Sequence, residues 1–431
     1  MIARCFVRLA HPLRIKGNLI EASMPGTRIG EICEIHQSLL EPRVIGAAQV
    51  IGFNKELTLL SLLNDNQGLS RSNVLLPTGK SFQIDAGDGL LGGIVDATGK
   101  VQGRLNKPSL LTIPAERRID VYAQPRDFSQ RRPITAPMTT GIRAIDSLLT
   151  CGQGQRMGIF ASAGCGKTTL MNMIIEHSEA EVYVIGLIGE RGREVAELVD
   201  VLKHSSRKAQ IILVYATSDR SCTERCNAAQ IATTIANYFS DRGKNVLLFI
   251  DSITRYARAL RDVALSMGEL PARQGYPASV FESLPRLLEQ AGRFSTGSVT
   301  AFYTVLIENE DEPDVIGDEI RSILDGHIYL SKKLAAKNHY PAIDILHSLS
   351  RVFNQVTAFE QQQHASKFRE LLHRQQEMQL YIDLGEYRHG ENPENDIAFA
   401  KKNLMDAFLK QSLNEKESLN KCLEKLYECL A

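Results

Sequence analysis

Apolar and polar positions divide the chain into three stretches with different periodicities. Between residues 14 and 63, short apolar runs alternate with turn residues such as Pro25-Gly26, and this spacing is typical of a small β-barrel or sandwich. From residue 141 to about residue 355, short β-rich runs alternate with stretches of helical spacing. The β-rich runs cover residues 157–160, 182–188, 211–216, 246–250 and 299–306. This βαβ alternation predicts a mainly parallel sheet covered by helices.

The last stretch, from Phe359 onward, has the periodicity of helices. Near its end apolar residues recur at helical spacing with Glu and Lys between them, namely Leu419, Cys422, Leu423, Leu426 and Leu430. This pattern predicts a small helical domain. The three stretches together predict an α/β fold with domains at residues 1–75, 76–355 and 356–431.

Two segments between the first and second stretches lack a clear element pattern. The Gly-rich run at residues 87–95 has no helix signal after it, so we interpret it as a structural turn rather than a nucleotide-binding loop. Residues 101–137 hold many Pro and Arg residues and are predicted to be a connecting segment.

Composition restricts the class of protein. The chain has 431 residues, which implies several domains, since one domain typically has ~100–200 residues. Lys plus Arg and Asp plus Glu both number 50, so no net charge attracts the protein to nucleic acid. No apolar run approaches the ~20 residues that span a bilayer, and charged residues interrupt the first twelve positions, unlike a signal peptide. We therefore expect a cytosolic protein whose eight scattered cysteines are reduced structural thiols.

A phosphate-binding loop follows the first strand of the predicted sheet. The sequence Ala161-Ser162-Ala163-Gly164-Cys165-Gly166-Lys167-Thr168 lies between a strand and a helix, which is the context that the P-loop motif requires. The two glycines let backbone N–H groups face phosphate oxygens, and the helix directs its positive end to the same place. Lys167 supplies charge for the β- and γ-phosphates, and Thr168 supplies a hydroxyl for Mg²⁺. ATP and Mg²⁺ are therefore the expected ligands, with nucleotide contacts at Gly164, Cys165, Gly166, Lys167, Thr168 and Thr169.

One position departs from the usual motif, which opens with Gly where this chain has Ala161. Because Ala is compatible with most backbone conformations, we expect nucleotide binding to persist.

Carboxylates follow two further strands of the predicted sheet. Asp251 ends the apolar run 245–250 and is predicted to hold Mg²⁺. Glu190 follows the run 182–188 and is predicted to orient and deprotonate the attacking water, with Arg191 or Arg193 neutralising phosphate charge. An exposed loop with local ion pairs is the alternative for this segment.

Three arginines, at positions 255, 258 and 261, lie close to one face of the helix after Asp251. A solvated face is the ordinary explanation of such a row. Arg255 is expected to reach the site because it lies one turn from Asp251.

At this point the sequence resembles the catalytic subunits of the rotary ATP synthase class. The stretch Pro341-Ala342-Ile343-Asp344 followed by Ser348-Leu349-Ser350 matches a signature of that class, and so does the segment 189–194. Within the class, residues 148–168, 251–263, 275–281 and 322–327 resemble the ATPases of type III protein secretion systems. The loop form Ala-Ser-Ala-Gly-Cys resembles that of injectisome ATPases, so Ala161 is ordinary for this group.

The resemblance implies a RecA-like P-loop ATPase core with an N-terminal β-barrel and a C-terminal helical domain, assembled as a homohexamer. It implies that Glu190 is the catalytic base and that Arg191 lies near the phosphates. It also implies that Arg351 is an arginine finger directed at the γ-phosphate of the neighbouring subunit's ATP, and that Tyr340 stacks on adenine. The loop 268–279 resembles a pore-facing loop that grips a central stalk protein.

Partners and location are likewise implied by the resemblance. They are the central stalk, a peripheral stator or regulator, complexes of chaperones with secreted effectors, and the export gate of the inner membrane. The expected location is the cytoplasm, peripherally at the inner membrane, and no nucleic acid is expected. The expected function is ATP hydrolysis that releases chaperones from effectors and unfolds effectors for export.

Three alternatives stay open at the level of the sequence. The same chemistry could serve flagellar protein export. An RNA-translocating hexameric helicase has a similar core, but the zero net charge and the lack of interleaved aromatic and basic residues in the first domain disfavour it. A non-hydrolysing ring subunit is disfavoured because Lys167, Glu190, Asp251 and Arg351 are all present.

Overall fold

The computed structural model describes residues 9–39, 43–63, 68–106, 116–307, 314–388, 390 and 392–431. Residues 1–8 of the predicted first domain lie outside these ranges. Within the described residues, no helix combines the length and the apolar character needed to cross a membrane.

An antiparallel sheet forms the N-terminal unit. Its strands lie in the order β1-β2-β5-β4-β3-β6, and a bridge between Ala10 and Leu75 joins the segment before β1 to β6. The ends of the sheet therefore meet, as the predicted barrel requires, around a core that includes Ile20, Cys33, Ile35, Val50 and Leu60. The strands are β1 (Arg14–Lys16), β2 (Leu19–Ala22), β3 (Glu31–His36), β4 (Val44–Asn54), β5 (Leu57–Leu62) and β6 (Val74–Ser81).

Short strands follow, some of them within the segments that were predicted to be a turn and a connecting segment. They are β7 (Gln83–Ala86), β8 (Gly93–Val95), β9 (Val101–Arg104), β10 (Arg117–Asp120), β11 (Pro137–Met138) and β12 (Cys151–Gly152). The interpretation of residues 87–95 as a turn is wrong at its end, because Ile94 and Val95 pair in parallel with Leu213 and Val214 of the central sheet. A pairing with residues more than a hundred positions away decided the conformation of this Gly-rich run.

The central sheet runs in the order β20-β19-β13-β18-β16-β14-β15-β8-β9, and its interior pairs are parallel. The predicted RecA-like alternation is confirmed. The strands not yet given are β13 (Arg156–Ala161), β14 (Val182–Glu190), β15 (Ile211–Thr217), β16 (Asn245–Asp251), β17 (Gly292–Arg293), β18 (Ser298–Leu306), β19 (Gly326–Leu330) and β20 (Ile343–Ser350).

Helices cover both faces of this sheet. In the central unit they are α1 (Arg143–Leu148), α2 (Lys167–His177), α3 (Gly192–His204), α4 (Cys222–Asp241), α5 (Ile253–Ser266), α6 (Ala278–Leu288), α7 (Val315–Ile323), α8 (Lys332–Ala336) and α9 (Phe353–Val356). Successive side chains of β14 serve opposite faces: Val184 and Ile188 join the core beneath α4 and α5, whereas Ile185 and Leu187 join the core beneath α2. This two-sided burial explains why the strand is apolar throughout.

The C-terminal helices share the second of these cores. They are α10 (Phe359–Asp383), α11 (Pro393–Leu409) and α12 (Leu419–Leu430), and Phe368, Leu371 and Met405 are buried together with residues of α1 and α2. The helical C-terminal unit therefore packs on the face of the sheet that α1 and α2 cover.

The edge strand β20 reverses the direction of the sheet. It pairs antiparallel with β19, with Ile343 opposite Leu330 and Ser350 opposite Gly326. Leu330 lies beside Ala161 at the carboxyl end of β13. The segment before β20 therefore lies at the phosphate-loop end of the sheet, and the segment after β20 lies at the other end.

Candidate active site

The phosphate loop connects β13 to α2. Ala161 is the last residue of β13 and pairs with Leu306 and Leu330, so this position is extended and does not require glycine. Gly164 and Gly166 both have φ of +83°, a conformation that residues with a Cβ rarely adopt. Gly166 is the residue before the first turn of α2, so its conformation directs the free N–H groups of that turn toward the loop.

Lys167 lies between two carboxylates. Its Nζ is 2.5 Å from Oδ1 of Asp251 and 3.5 Å from Oε1 of Glu190. Asp251 and Glu190 are both buried, at the ends of β16 and β14. The two strands are neighbours, with Leu187 beside Asp251. Parallel register therefore brings the three sequence-predicted groups to one end of the sheet.

Thr304 holds the Asp251 carboxylate from the strand between the phosphate loop and Asp251. Its hydroxyl donates to Oδ1 of Asp251 at 2.7 Å, and its side chain is fully buried in β18. Sequence reasoning missed this residue, since a threonine within an apolar strand carries no motif.

Arg255 extends the site from the first turn of α5. Its Nη1 is 2.6 Å from Oε2 of Glu190 and donates to the carbonyl of Gly189 at 2.7 Å. The spacing of one turn after Asp251 placed Arg255 near the site at the level of sequence. The spacing did not indicate that Arg255 pairs with Glu190 rather than with Asp251.

The surroundings of the Glu190 carboxylate determine its pKa. Its Oε1 is buried and accepts no hydrogen bond, although Lys167 lies within ion-pair distance of it. Burial, and secondarily a hydrogen bond with the carboxyl of Glu194, raise the pKa of Glu190 above its ordinary value, while Lys167 and Arg255 oppose this rise. A buried carboxylate with a raised pKa is suited to accept a proton from water. Glu194 was not among the residues that the sequence singled out.

Arg191 and Thr168 lie at the rim of the site. Arg191 precedes α3, its side chain is 76% exposed, and its Nη1 is 3.7 Å from Glu194. Thr168 is exposed on the first turn of α2, and Thr169 beside it is half-buried. The hydroxyl of Thr168 and the carboxylate of Asp251 are oxygen donors of the kind that Mg²⁺ binds while it keeps several waters, so these residues fit a magnesium ion.

Tyr340 lies against the phosphate loop. A Cβ built on Gly166 would be 3.3 Å from Cε1 of the Tyr340 ring, and Tyr340 is 37% exposed. The segment before β20 thus brings an aromatic face to the start of α2 within the same chain.

Arg351 lies at the opposite end of the sheet. Its N–H donates to the carbonyl of Asp325, whose own N–H donates to the carbonyl of Arg156, so Arg351 is level with the first residue of β13. The five residues from there to Ala161 span about 16 Å at the usual rise of a strand. The Arg351 side chain is exposed, and its Nη2 is 3.5 Å from the carbonyl of Arg321. Arg351 therefore does not join the site of its own chain.

A parallel sheet with a phosphate loop at the end of one strand, and buried carboxylates at the ends of two others, defines a P-loop nucleotide hydrolase. Residues 141–350 match the ATP synthase alpha/beta family, nucleotide-binding domain, and residues 357–428 match the T3SS EscN ATPase C-terminal domain. The SPI-1 type 3 secretion system ATPase of Salmonella typhi is 56% identical over 415 residues, which are 96% of each chain.

Solved structures agree with this assignment. The assembled ATPase EscN of the enteropathogenic E. coli type III secretion system matches with a TM-score of 0.90 and 43% identity, over 98% of this chain and all of that one. The complex of assembled EscN with its central stalk EscO matches with a TM-score of 0.88 and 42% identity over the same shares. The chain belongs to the type 3 secretion system ATPase family, and it is an ATPase. The resemblance in the sequence is confirmed, and the RNA helicase alternative is set aside.

Glu194→Gln is predicted to extend ATPase activity to lower pH. A base must be deprotonated to act, so activity is present above the pKa of Glu190 and is lost as the pH falls through it. The Glu194 carboxyl raises that pKa; its removal lowers the pKa, and the acid limb of kcat/KM against pH moves to lower pH.

The matched control is Glu197→Gln, one turn further along α3, where the carboxylate pairs with Arg193 at the exposed surface. This variant should keep the wild-type profile. An acid limb that stays in place in Glu194→Gln, or moves to higher pH, contradicts the assignment of Glu190 as the base.

Proposed function

We propose that this ATPase hydrolyses Mg-ATP at sites shared between adjacent subunits of a homohexameric ring. In this proposal the ring lies at the cytoplasmic face of the inner membrane, at the base of a type III secretion apparatus. Hydrolysis releases chaperones from exported effectors and unfolds the effectors. The proposal is supported by family membership and by the assembled state named for EscN.

The observation that carries the shared site is the position of Arg351. A nucleotide hydrolase needs cationic groups around the transferred phosphoryl group, and an arginine supplied by a neighbouring subunit can contribute ~10³-fold or more in rate. Arg351 is exposed, is always charged, and lies at the end of the sheet remote from its own phosphate loop. This position supports the proposal that Arg351 serves the nucleotide of another subunit.

The remaining roles fall to residues of one chain. Backbone N–H groups of Gly164, Cys165 and Gly166 cradle the phosphates, and Lys167 and Thr169 contact them. Thr168 and Asp251 would hold Mg²⁺, which when bound neutralises phosphate charge. Tyr340 supports the adenine through its ring face.

Lys167 changes partners when nucleotide enters. Its ammonium compensates the carboxylates of Asp251 and Glu190. Contact with phosphate draws it away from both carboxylates, and Glu190 then orients water and accepts its proton at Oε1, while Arg255 holds Oε2 in place. Arg191 lies at the rim, where its exposed side chain pairs with Glu194, and it supplies charge near the phosphates.

A loop between α5 and α6 supplies the proposed contact with a central stalk. Residues 268–275 are largely exposed, and Leu270 is 84% exposed. The family relative EscN is seen in complex with its central stalk EscO, which supports a corresponding partner here. A peripheral stator or regulator, chaperone–effector complexes and the inner-membrane export gate complete the proposed set of partners.

Arg351→Ala is predicted to lower ATPase activity by ~10³-fold without weakening ATP binding by its own subunit. Lys167→Ala is predicted to be inactive because it lacks the phosphate-binding charge. Mixing the two inactive proteins creates interfaces with an intact Lys167 on one side and an intact Arg351 on the other. ATPase assays of the mixture should therefore recover part of the wild-type rate.

Subunit exchange in these mixtures is checked by fluorescence transfer between differently labelled variants. Arg286→Ala, which removes an exposed arginine of α6 paired with Glu282, serves as the control and should be active alone. If exchange is verified and no activity returns, the finger does not act across subunits.

Chaperone release is predicted to require hydrolysis. Purified protein should separate a cognate chaperone from its effector with Mg-ATP, and should fail to do so with a non-hydrolysable analogue or with Glu190→Ala. Gel filtration of the products measures the release. Failure to separate a cognate pair during active hydrolysis would contradict this part of the proposal.

A further inference from the structure

The loop between α11 and α12 of the C-terminal unit reaches the segment of Tyr340 through one buried residue. Gln411 is 5% exposed, and its backbone N–H donates to the carbonyl of Tyr340 at 3.0 Å. Tyr340 is the residue whose ring lies against Gly166 of the phosphate loop. A single residue of the C-terminal unit thus fixes the backbone of the aromatic residue at the nucleotide site.

The Gln411 side chain is itself fixed at both ends. Its Oε1 accepts from the N–H of Arg143 at 2.8 Å, and its Nε2 donates to the carbonyls of Gly141 and Glu415 at 2.8 and 2.7 Å. A buried amide with all of these bonds made has one orientation. The backbone of residue 411, and the N–H that it offers to Tyr340, are held accordingly.

The anchor for this arrangement is Arg143 in α1. Its guanidinium is nearly fully buried; it donates from Nε to the carbonyl of Phe408 at 2.9 Å and pairs with Glu417 at 2.9 Å. It also contacts Glu415 and the carbonyl of Lys410. These bonds fix the loop around residue 411 against the ATPase core. The ion pair resists being broken, because breaking it would leave an uncompensated buried charge.

The turn at Gly141, whose carbonyl accepts a hydrogen bond from the Gln411 side chain, packs against α2. Gly141 has φ of +75°, and a Cβ at this position would be 2.4 Å from Cβ of His177 at the end of α2. Gln411 therefore connects the segment that carries Tyr340 to a turn packed on the end of α2 that lies about 15 Å from the phosphate loop.

We propose that Gln411 is a positioning residue that sets Tyr340 for contact with the adenine base, so that the C-terminal unit determines the affinity for the base but not for the phosphates. This inference rests on the proposed role of Tyr340 at adenine. The proposal predicts that the affinities for two ligands respond differently to substitution of Gln411. The affinity for ATP depends on both Tyr340 and the phosphate loop, whereas the affinity for a ligand without a base depends on the phosphate loop alone.

The test compares the Kd of Mg-ATP with the Kd of Mg-tripolyphosphate for the full-length protein by calorimetry. Gln411→Ala keeps the backbone N–H that donates to Tyr340 but removes the three side-chain hydrogen bonds that hold it in place. It should weaken Mg-ATP binding roughly threefold to tenfold, as expected if the support of Tyr340 falls by about one net hydrogen bond, and should leave tripolyphosphate binding unchanged. In turnover assays KM for ATP should rise while kcat at saturating ATP stays at the wild-type value. Equal weakening of both ligands would mean a general structural lesion and would overturn the proposal.

Gln361→Ala is the matched control. Gln361 is also a buried glutamine of the C-terminal unit, and its Nε2 donates to the carbonyls of Asp146 and Ser147 and to the hydroxyl of Thr150. It ties α10 to α1 without contacting Tyr340. This variant should lose thermal stability but keep the wild-type ratio of the two Kd values. A ratio that changes as much as in Gln411→Ala would overturn the proposal.

Two further variants separate the possible failures. Gln411→Glu keeps the acceptor for the Arg143 N–H and loses the donor to Gly141, so it should weaken ATP selectively even if Gln411→Ala fails to fold. Tyr340→Ala should weaken ATP but not tripolyphosphate. If it does not, the adenine role of Tyr340 is wrong. If Tyr340→Ala behaves as expected and both Gln411 variants bind ATP like the wild type, the positioning role alone is wrong.

Discussion

The reversal of direction at the edge strand β20 is the constraint on which the organisation of the catalytic site depends. Because β20 runs antiparallel to β19, the residues before and after it lie at opposite ends of the sheet. Tyr340 is thereby brought to the phosphate loop of its own chain, and Arg351 is removed from it by about the length of a strand. This single reversal of chain direction divides the groups of the nucleotide site into two sets. One set serves the subunit's own nucleotide, and we propose that the other serves the nucleotide of the neighbouring subunit.

Within one chain, the parallel register of four strands gathers the reacting groups. Lys167, Asp251 and Glu190 follow β13, β16 and β14, and Thr304 lies on β18 between them. Lys167 compensates two buried carboxylates, whose charge would otherwise be costly to bury. A ligand that draws Lys167 away must bring its own cations, and a magnesium-bound nucleotide does so. This arrangement of charges is therefore matched to the ligand that the family membership implies.

The C-terminal unit takes part in this arrangement rather than standing apart from it. Its helices share a core with α1 and α2, and buried contacts of Arg143 and Gln411 carry its connecting loop to the segment of Tyr340. A partner that moves this unit would act on the nucleotide site through hydrogen bonds and packed side chains.

Local sequence signals predicted the groups whose position follows from strand ends. Lys167, Asp251 and Glu190 could be found because apolar runs end in polar residues where parallel strands meet, and Arg255 because helical spacing is regular. Tyr340 and Arg351 required the resemblance to a family, since no local pattern indicates which end of the sheet they reach. Thr304, Glu194 and Gln411 were not predicted, and the β8 strand was mistaken for a turn. For Thr304, Gln411 and β8 the deciding contacts join residues far apart in the chain, and for Glu194 the decisive neighbour is a buried carboxylate whose burial the sequence does not show.

The central claim, that two subunits complete one catalytic site, is tested most directly by the dependence of ATPase rate on protein concentration. The rate per subunit should be low at concentrations where light scattering shows monomers, and it should rise steeply as assemblies form. A rate per subunit that stays constant across the range in which monomers give way to assemblies would contradict the claim.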